Sequence, residues 1–302
     1  MPVPKNQQTE NLAKLSCIFV AVVWGLFWIP LRALNEAGIS EMWATVLFSA
    51  VPLLLLIPLL LVRWKSISAL GWTLHKIGIA ISIAFVFYSN AFFYTDVIPV
   101  LLLFYMTVIW GTLFARIWLK EPITFARITA IVCGFSGMFV ILSVGPGIPI
   151  PSNFGDWLAL LAGISWAFGA VLMKREEEID PRDLVICYFF WATVLAVVMA
   201  VIPISIHTPS PGYNEIIVVL PWFLPIVLLL LIPSVFALLW GAPMLSPGVT
   251  GILFLTEISV ATIAVAILTD EPFGIREVLG ILLISLAGAS EVIFTLFRRR
   301  LK

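Results

Sequence analysis

Glu257 is the residue whose setting most needs explaining. It stands in Gly251-Ile252-Leu253-Phe254-Leu255-Thr256-Glu257-Ile258-Ser259-Val260, inside an apolar run from about 246 to 268. On a helix rising 1.5 Å per residue it lies roughly 16 Å from either end, too deep to snorkel. A carboxylate at that depth in a bilayer costs several kcal/mol, of order 2.5–3.5 on insertion scales, unless water, a proton or a partner compensates. No basic residue lies in its own run or in the preceding one, about 216–240. Three chemistries remain open: coupling to protons, binding a solute amine, or a protonated carboxyl bridging helices.

Asn90, in Phe87-Tyr88-Ser89-Asn90-Ala91-Phe92, either binds solute or bridges helices, as buried amides in membranes do. Glu291 lies near Arg298 and reads as structural, and Asp96, at a run end, as solvated. Aromatics form 13% of the chain, with 12 tryptophans. Trp64, Trp72, Trp118 and Trp222 sit near run ends and read as interfacial belt residues. Trp24, Trp28, Tyr88, Tyr105, Trp110, Trp166 and Trp240 lie deeper, or on helices that the resemblance below assigns to a cavity. Trp24 and Trp28 are one helical turn apart on one face. An aromatic-walled cavity accepts flat or apolar solutes, or a cation through cation–π contact. Core packing is the alternative for each ring. The candidate solute-binding set is therefore Trp24, Trp28, Tyr88, Asn90, Tyr105, Trp110, Trp166, Trp240 and Glu257.

No catalytic or metal-binding set emerges, and no cofactor is expected. The two histidines, His75 and His207, are far apart, and Glu176-Glu177-Glu178 with Asp180 beside Lys174 and Arg175 reads as a solvated loop. A glycine-rich phosphate loop is absent, which excludes an ATP-driven pump on one chain. Cys17, Cys133 and Cys187 all fall inside apolar runs and read as buried thiols.

The elements that must hold these residues follow from composition. Of 302 residues, 62% are hydrophobic and 11% charged, against about 45–50% and 25% in soluble domains. Ten apolar runs, roughly 13–34, 41–62, 73–95, 98–118, 124–143, 155–174, 183–204, 216–240, 246–268 and 275–297, are each long enough to cross about 30 Å of hydrocarbon. Zero net charge offers no field for nucleic acid. The polar Met1–Asn11 stretch lacks a small-residue cleavage site, so the first run is expected to stay as a helix. With the N-terminus in the cytoplasm, only Arg32 and Arg276 of the 17 basic residues fall outside. That asymmetry supports ten helices with both termini inside.

An internal repeat supports the same count. Glu121-Pro122 follows the fourth run and Glu271-Pro272 the ninth, 150 residues later; Trp24-Gly25 and Trp166-Ala167 lie 142 apart. Each Glu-Pro also suits a helix start, with Pro in the first turn and Glu at the positive end of the dipole. Five helices per half is odd, so the second half enters from the opposite side. The expected fold is an all-α integral membrane protein of ten transmembrane helices in two inverted five-helix repeats, 13–143 and 155–297. Pro30, Pro52, Pro58, Pro225 and Pro233 should kink helices. Gly134, Gly137, Gly280, Ala287 and Gly288 should allow close packing.

Ten helices, two halves and a Glu-Pro after each fourth helix resemble the drug/metabolite transporter superfamily, in particular its EamA-type exporters. Leu102–Trp110 through Leu119-Lys120-Glu121-Pro122-Ile123-Thr124 resembles the fourth-helix signature of the aromatic amino acid exporter branch. Val108 and Ile258 stand where members of that family often carry Pro. The resemblance implies a central cavity lined by the first, third, fourth, sixth, eighth and ninth helices, with the fifth and tenth packed behind. It implies a multi-pass protein of the cell (inner) membrane. The function expected is a secondary or facilitated transporter exporting a small metabolite, an amino acid or related amphipathic or aromatic solute. A membrane-embedded enzyme and a solute channel are the alternatives. The partners expected are a small-molecule solute and the lipid bilayer, with protons and a second copy of the chain (a homodimer) left open, and no nucleic acid.

Overall fold

The computed structural model describes residues 7–39, 41–95, 97–142, 150–176, 179–202, 210–268 and 273–300, without the side chains of 41, 97, 98 and 289–300. Asp96, the Glu291 side chain, Glu271-Pro272 and His207 therefore lie outside the described residues. Every regular element among the described residues is helical.

The first apolar run folds as α1 (Gln7–Gly25) and α2 (Trp28–Glu36), separated by a turn at Leu26 and Phe27. Pro30 falls in the first turn of α2, where its missing N–H breaks no helical bond. The next helices are α3 (Glu41–Leu55), which contains Pro52, and α4 (Ile57–Ala91), which begins at Pro58. At 35 residues, α4 would measure about 52 Å if straight, far more than one bilayer crossing. Gly71 divides it, with φ 52° and ψ −136°, a conformation that L side chains avoid. This is the boundary expected between the second and third runs.

The fourth run is α5 (Val97–Tyr105) and α6 (Thr107–Trp118), broken at Met106. α7 (Phe125–Ile141) starts at Thr124, whose hydroxyl accepts the Arg127 N–H at 3.2 Å. α8 (Phe154–Arg175) starts at Asn153 and α9 (Pro181–Val201) at Asp180, each capping its helix with a side-chain oxygen at 2.9 Å. α10 (Tyr213–Ile226) passes through a π-helical stretch, Val227–Leu231, into α11 (Ile232–Gly241). That stretch lies between Pro225 and Pro233, where absent N–H groups disturb the ladder; the Ser234 hydroxyl donates to the Leu231 carbonyl at 2.9 Å. The ninth run is α12 (Pro247–Phe254) and α13 (Thr256–Leu268), broken at Leu255, and α14 (Ile275–Arg300) follows.

Among the described residues seven helices are long and apolar enough to cross a membrane: Gln7–Glu36, Ile57–Ala91, Pro99–Trp118, Phe154–Arg175, Pro181–Val201, Tyr213–Met244 and Pro247–Leu268. Met42–Leu55 and Phe125–Ile141 are shorter apolar helices. Many large apolar side chains face outward, among them Val62 82%, Leu229 72% and Ile267 74% exposed. Lipid accepts such side chains more readily than water does. This is a multi-pass membrane protein.

α8 packs against α4, α5 and α6, and α1 against α11, α12 and α13. α7 and α14 form a pair of their own. A Cβ on Gly137 would come within 2.6 Å of the Gly280 carbonyl, and one on Gly280 within 2.8 Å of the Gly137 carbonyl, so these helices touch backbone to backbone. Polar ties join the two ends of the sequence. The Arg63 guanidinium binds Asp183, donating through Nη2 at 2.7 Å and also through Nε. Ser66 donates to the same carboxylate at 2.6 Å, and Asp180 lies 3.1 Å from Arg63. Lys174 pairs with Glu121 at 3.3 Å and donates to the Leu245 carbonyl at 2.7 Å. Arg127 donates to Ser246 at 3.1 Å. Thr95 donates to Asp156 at 2.9 Å.

Candidate functional site: a central aromatic cavity with one carboxylate

A cavity of about 70 Å³ lies among the long helices, lined from α1, α4, α5, α8, α9, α11, α12 and α13. That is room for several waters, since one needs about 10–15 Å³ on this measure. Among the described lining residues its one acid is Glu257, and there is no Lys, Arg or His. The Tyr88 hydroxyl donates to Glu257 Oε1 at 3.3 Å.

The helices around the carboxylate are broken where they meet it. The α12–α13 turn at Leu255 lets the Ile258 N–H donate three residues back to the Leu255 carbonyl at 3.1 Å. The Phe254 carbonyl accepts instead from the hydroxyl of Tyr105, fully buried, at 3.1 Å. That hydroxyl also faces the Glu257 carboxylate. The α5–α6 turn at Met106 stands 149 residues before the one at Leu255. Each break is approached by a glycine from a distant helix. A Cβ on Gly25 would lie 2.8 Å from the Glu257 carbonyl, and a Cβ on Gly163 2.5 Å from the Phe104 carbonyl.

The walls are aromatic. Tyr88 packs on Phe104 at 4.2 Å between ring centroids, Trp24 edge-on to Phe85 at 5.7 Å, and Trp166 against Phe254 at 5.8 Å. Tyr188 closes the far side against Phe85 at 6.0 Å. The described lining residues offer aromatic rings and one acid, and no basic side chain.

Of the residues singled out from sequence, Trp24, Tyr88, Trp166 and Glu257 line the cavity. Tyr105 stands behind it, bonded as described. Asn90 is buried elsewhere, its Nδ2 donating to the Val86 carbonyl at 2.7 Å while its Oδ1 has no partner among the described residues. The indole N–H groups of Trp28 and Trp110 are buried without partners among the described residues, and Trp240 packs on the core; none of these three is among the lining residues. Phe85, Phe104, Tyr188 and Phe254 line it and were not anticipated. Helical spacing could have found one of them: Phe85 precedes Tyr88 by three residues on α4. Tyr188 comes from the seventh run, which the family resemblance does not assign to the cavity.

Comparison with known proteins agrees with this architecture. Residues 153–290 match the EamA-like transporter family. The chain is 25% identical over 292 residues to a protein of Bacillus subtilis (strain 168) described as the uncharacterized transporter YvbV, covering 92% of this chain and 91% of that one. A solved crystal structure superposes with a TM-score of 0.71 at 18% identity, over 96% of this chain and 98% of the other, and shares the fold. The second half of the chain thus matches the EamA-like transporter family, and these matches support a membrane transporter.

Proposed function

We propose that the chain is a secondary or facilitated transporter that exports a small amphipathic solute, an amino acid or a related aromatic amine, across the inner cell membrane. On this reading it has ten transmembrane helices in two inverted halves, 13–143 and 155–297, with both termini cytoplasmic. The reciprocal breaks at Met106 and Leu255, each met by a glycine from the other half, favour the inverted arrangement, in which discontinuous helices meet near the midplane. One observation carries the function: Glu257, in the first turn of α13 and midway along the apolar span Pro247–Leu268, opens into an aromatic cavity where those broken helices meet. A transport pathway gives such a carboxylate water, a proton or a solute amine as its compensation. Protons are the proposed coupling ion, sharing Glu257 with the solute. Comparing metabolites outside cells with and without the chain tests the reading. An unchanged compound that accumulates outside only when the chain is present supports it, a chemically altered product points to an enzyme, and no difference counts against export.

A further inference from the structure

We infer that the cavity selects solutes with a net positive amine and rejects those carrying a carboxylate, so that of a matched aromatic pair its ligand is the amine and not the amino acid. This rests on reading the cavity as the solute site.

The argument is a charge balance. Glu257 is the one formally charged group among the lining residues. An ammonium beside it gains an ion pair in a weakly screened space, and each ring face it reaches among Trp24, Tyr88, Phe104 and Trp166 adds a negative quadrupole. A carboxylate entering the same space meets a like charge, with no basic side chain among the described lining residues to receive it.

The described basic residues nearest in role are committed elsewhere. Arg63 holds Asp183, Lys174 holds Glu121 and the Leu245 carbonyl, Arg127 holds Ser246, and Lys14 holds Glu10 at 2.7 Å. The broken helices offer two N-termini, which otherwise favour anions. The first turn of α13 already contains Glu257 itself. α6 begins at Thr107, which is 2% exposed and not among the lining residues. The Tyr88 hydroxyl is taken by Glu257. An amino acid would therefore bury its carboxylate against neutral groups only, the situation that a buried charge tolerates worst.

Three probes share one ring and differ in charge: phenethylamine, phenylalanine and 3-phenylpropionate. Their affinities for the full chain in lipid nanodiscs at pH 7 can be read from the fluorescence of the wall tryptophans. Phenethylamine is expected to bind at least about tenfold tighter than phenylalanine, as loss of a partly screened ion-pair gain implies, and 3-phenylpropionate more weakly still. Glu257→Gln should remove the preference. Equal or tighter binding of either carboxylate-bearing probe, a preference that survives Glu257→Gln, or binding by none of the three overturns the inference. The wild-type ranking decides even where the variant fails to fold. Cellular export separates the two readings: an exported solute bearing a carboxylate defeats the amine selection and leaves transport standing, whereas no export defeats transport itself.

Discussion

Removing Asp183 should destabilise the protein more than any surface substitution. Its side chain is fully buried on α9 and takes hydrogen bonds from Arg63 and Ser66 of α4. Breaking a buried ion pair by deleting one partner costs about 3–5 kcal/mol, because the other charge is left uncompensated. Arg63 keeps 19% of its side-chain surface exposed and has Asp180 at 3.1 Å as a second partner. Both soften the loss, which brings the expectation for Asp183→Ala to about 2–3 kcal/mol. Equilibrium unfolding of the purified protein in mixed micelles, titrated with a denaturing detergent, measures it. The double variant Arg63→Ala/Asp183→Ala removes the orphaned charge as well, so it should lose less than the two single variants together. A loss below about 0.5 kcal/mol, the range of ordinary surface changes, or strict additivity of the two substitutions, would refute the claim that this pair ties α4 to α9.

Asp180 gives a pH dependence. Hydrogen bonds from Arg182, with Arg63 adding to them, hold its carboxyl below the usual value of 3.8. A folded value below the unfolded one contributes stability that is complete above the unfolded value and lost as pH falls through the folded one. Unfolding measured between pH 6 and pH 3 should therefore show an acid-side loss that Asp180→Asn diminishes; identical slopes would contradict this. Gly137→Ala sets a Cβ 2.6 Å from the Gly280 carbonyl and 3.0 Å from the Ile284 backbone nitrogen. Backbone cannot step aside cheaply, so a loss of about 1–3 kcal/mol is expected from overpacking, read as reduced thermal stability in detergent. Gly71→Ala forces a Cβ into φ 52°, ψ −136° and should cost about 1–3 kcal/mol although nothing lies near it; an unchanged melting profile would show that the chain bends there without strain.

Much of the fold is legible in the sequence because a bilayer demands long apolar runs and hides little else. Six of the seven spanning helices each overlap one expected run, and the seventh, Ile57–Ala91, covers parts of two runs that Gly71 divides. The breaks at Met106 and Leu255 carry no such signal, since neither residue is Pro or Gly. Their causes are tertiary: the close approach of Gly163 and Gly25, and the Tyr105 hydroxyl bonded to the Phe254 carbonyl. The site divides in the same way. Glu257, Tyr88, Trp24 and Trp166 are legible as polar or amphipathic groups in apolar surroundings. Phe104 and Phe254 are not, because 22 phenylalanines spread along a hydrophobic chain mark no place by type; Phe85 is betrayed only by its spacing from Tyr88. Pairing Trp24 with Trp28 on one face assumes an unbroken helix. The turn at Leu26 and Phe27 interrupts it, and Trp28 leaves the cavity wall.

The central claim is that Glu257 works at a transport site and is not simply a hydrogen-bonded strut. Solute flux through the purified chain in proteoliposomes, compared with Glu257→Gln across roughly pH 5 to 8, a range wide enough to cover a perturbed carboxyl, tests it most directly. The amide keeps the shape and much of the bonding to Tyr88, so the variant should insert and fold, yet transport slowly or lose its dependence on the proton gradient. Flux at the wild-type rate with an unchanged pH profile would contradict the account and leave Glu257 as an interhelical bridge.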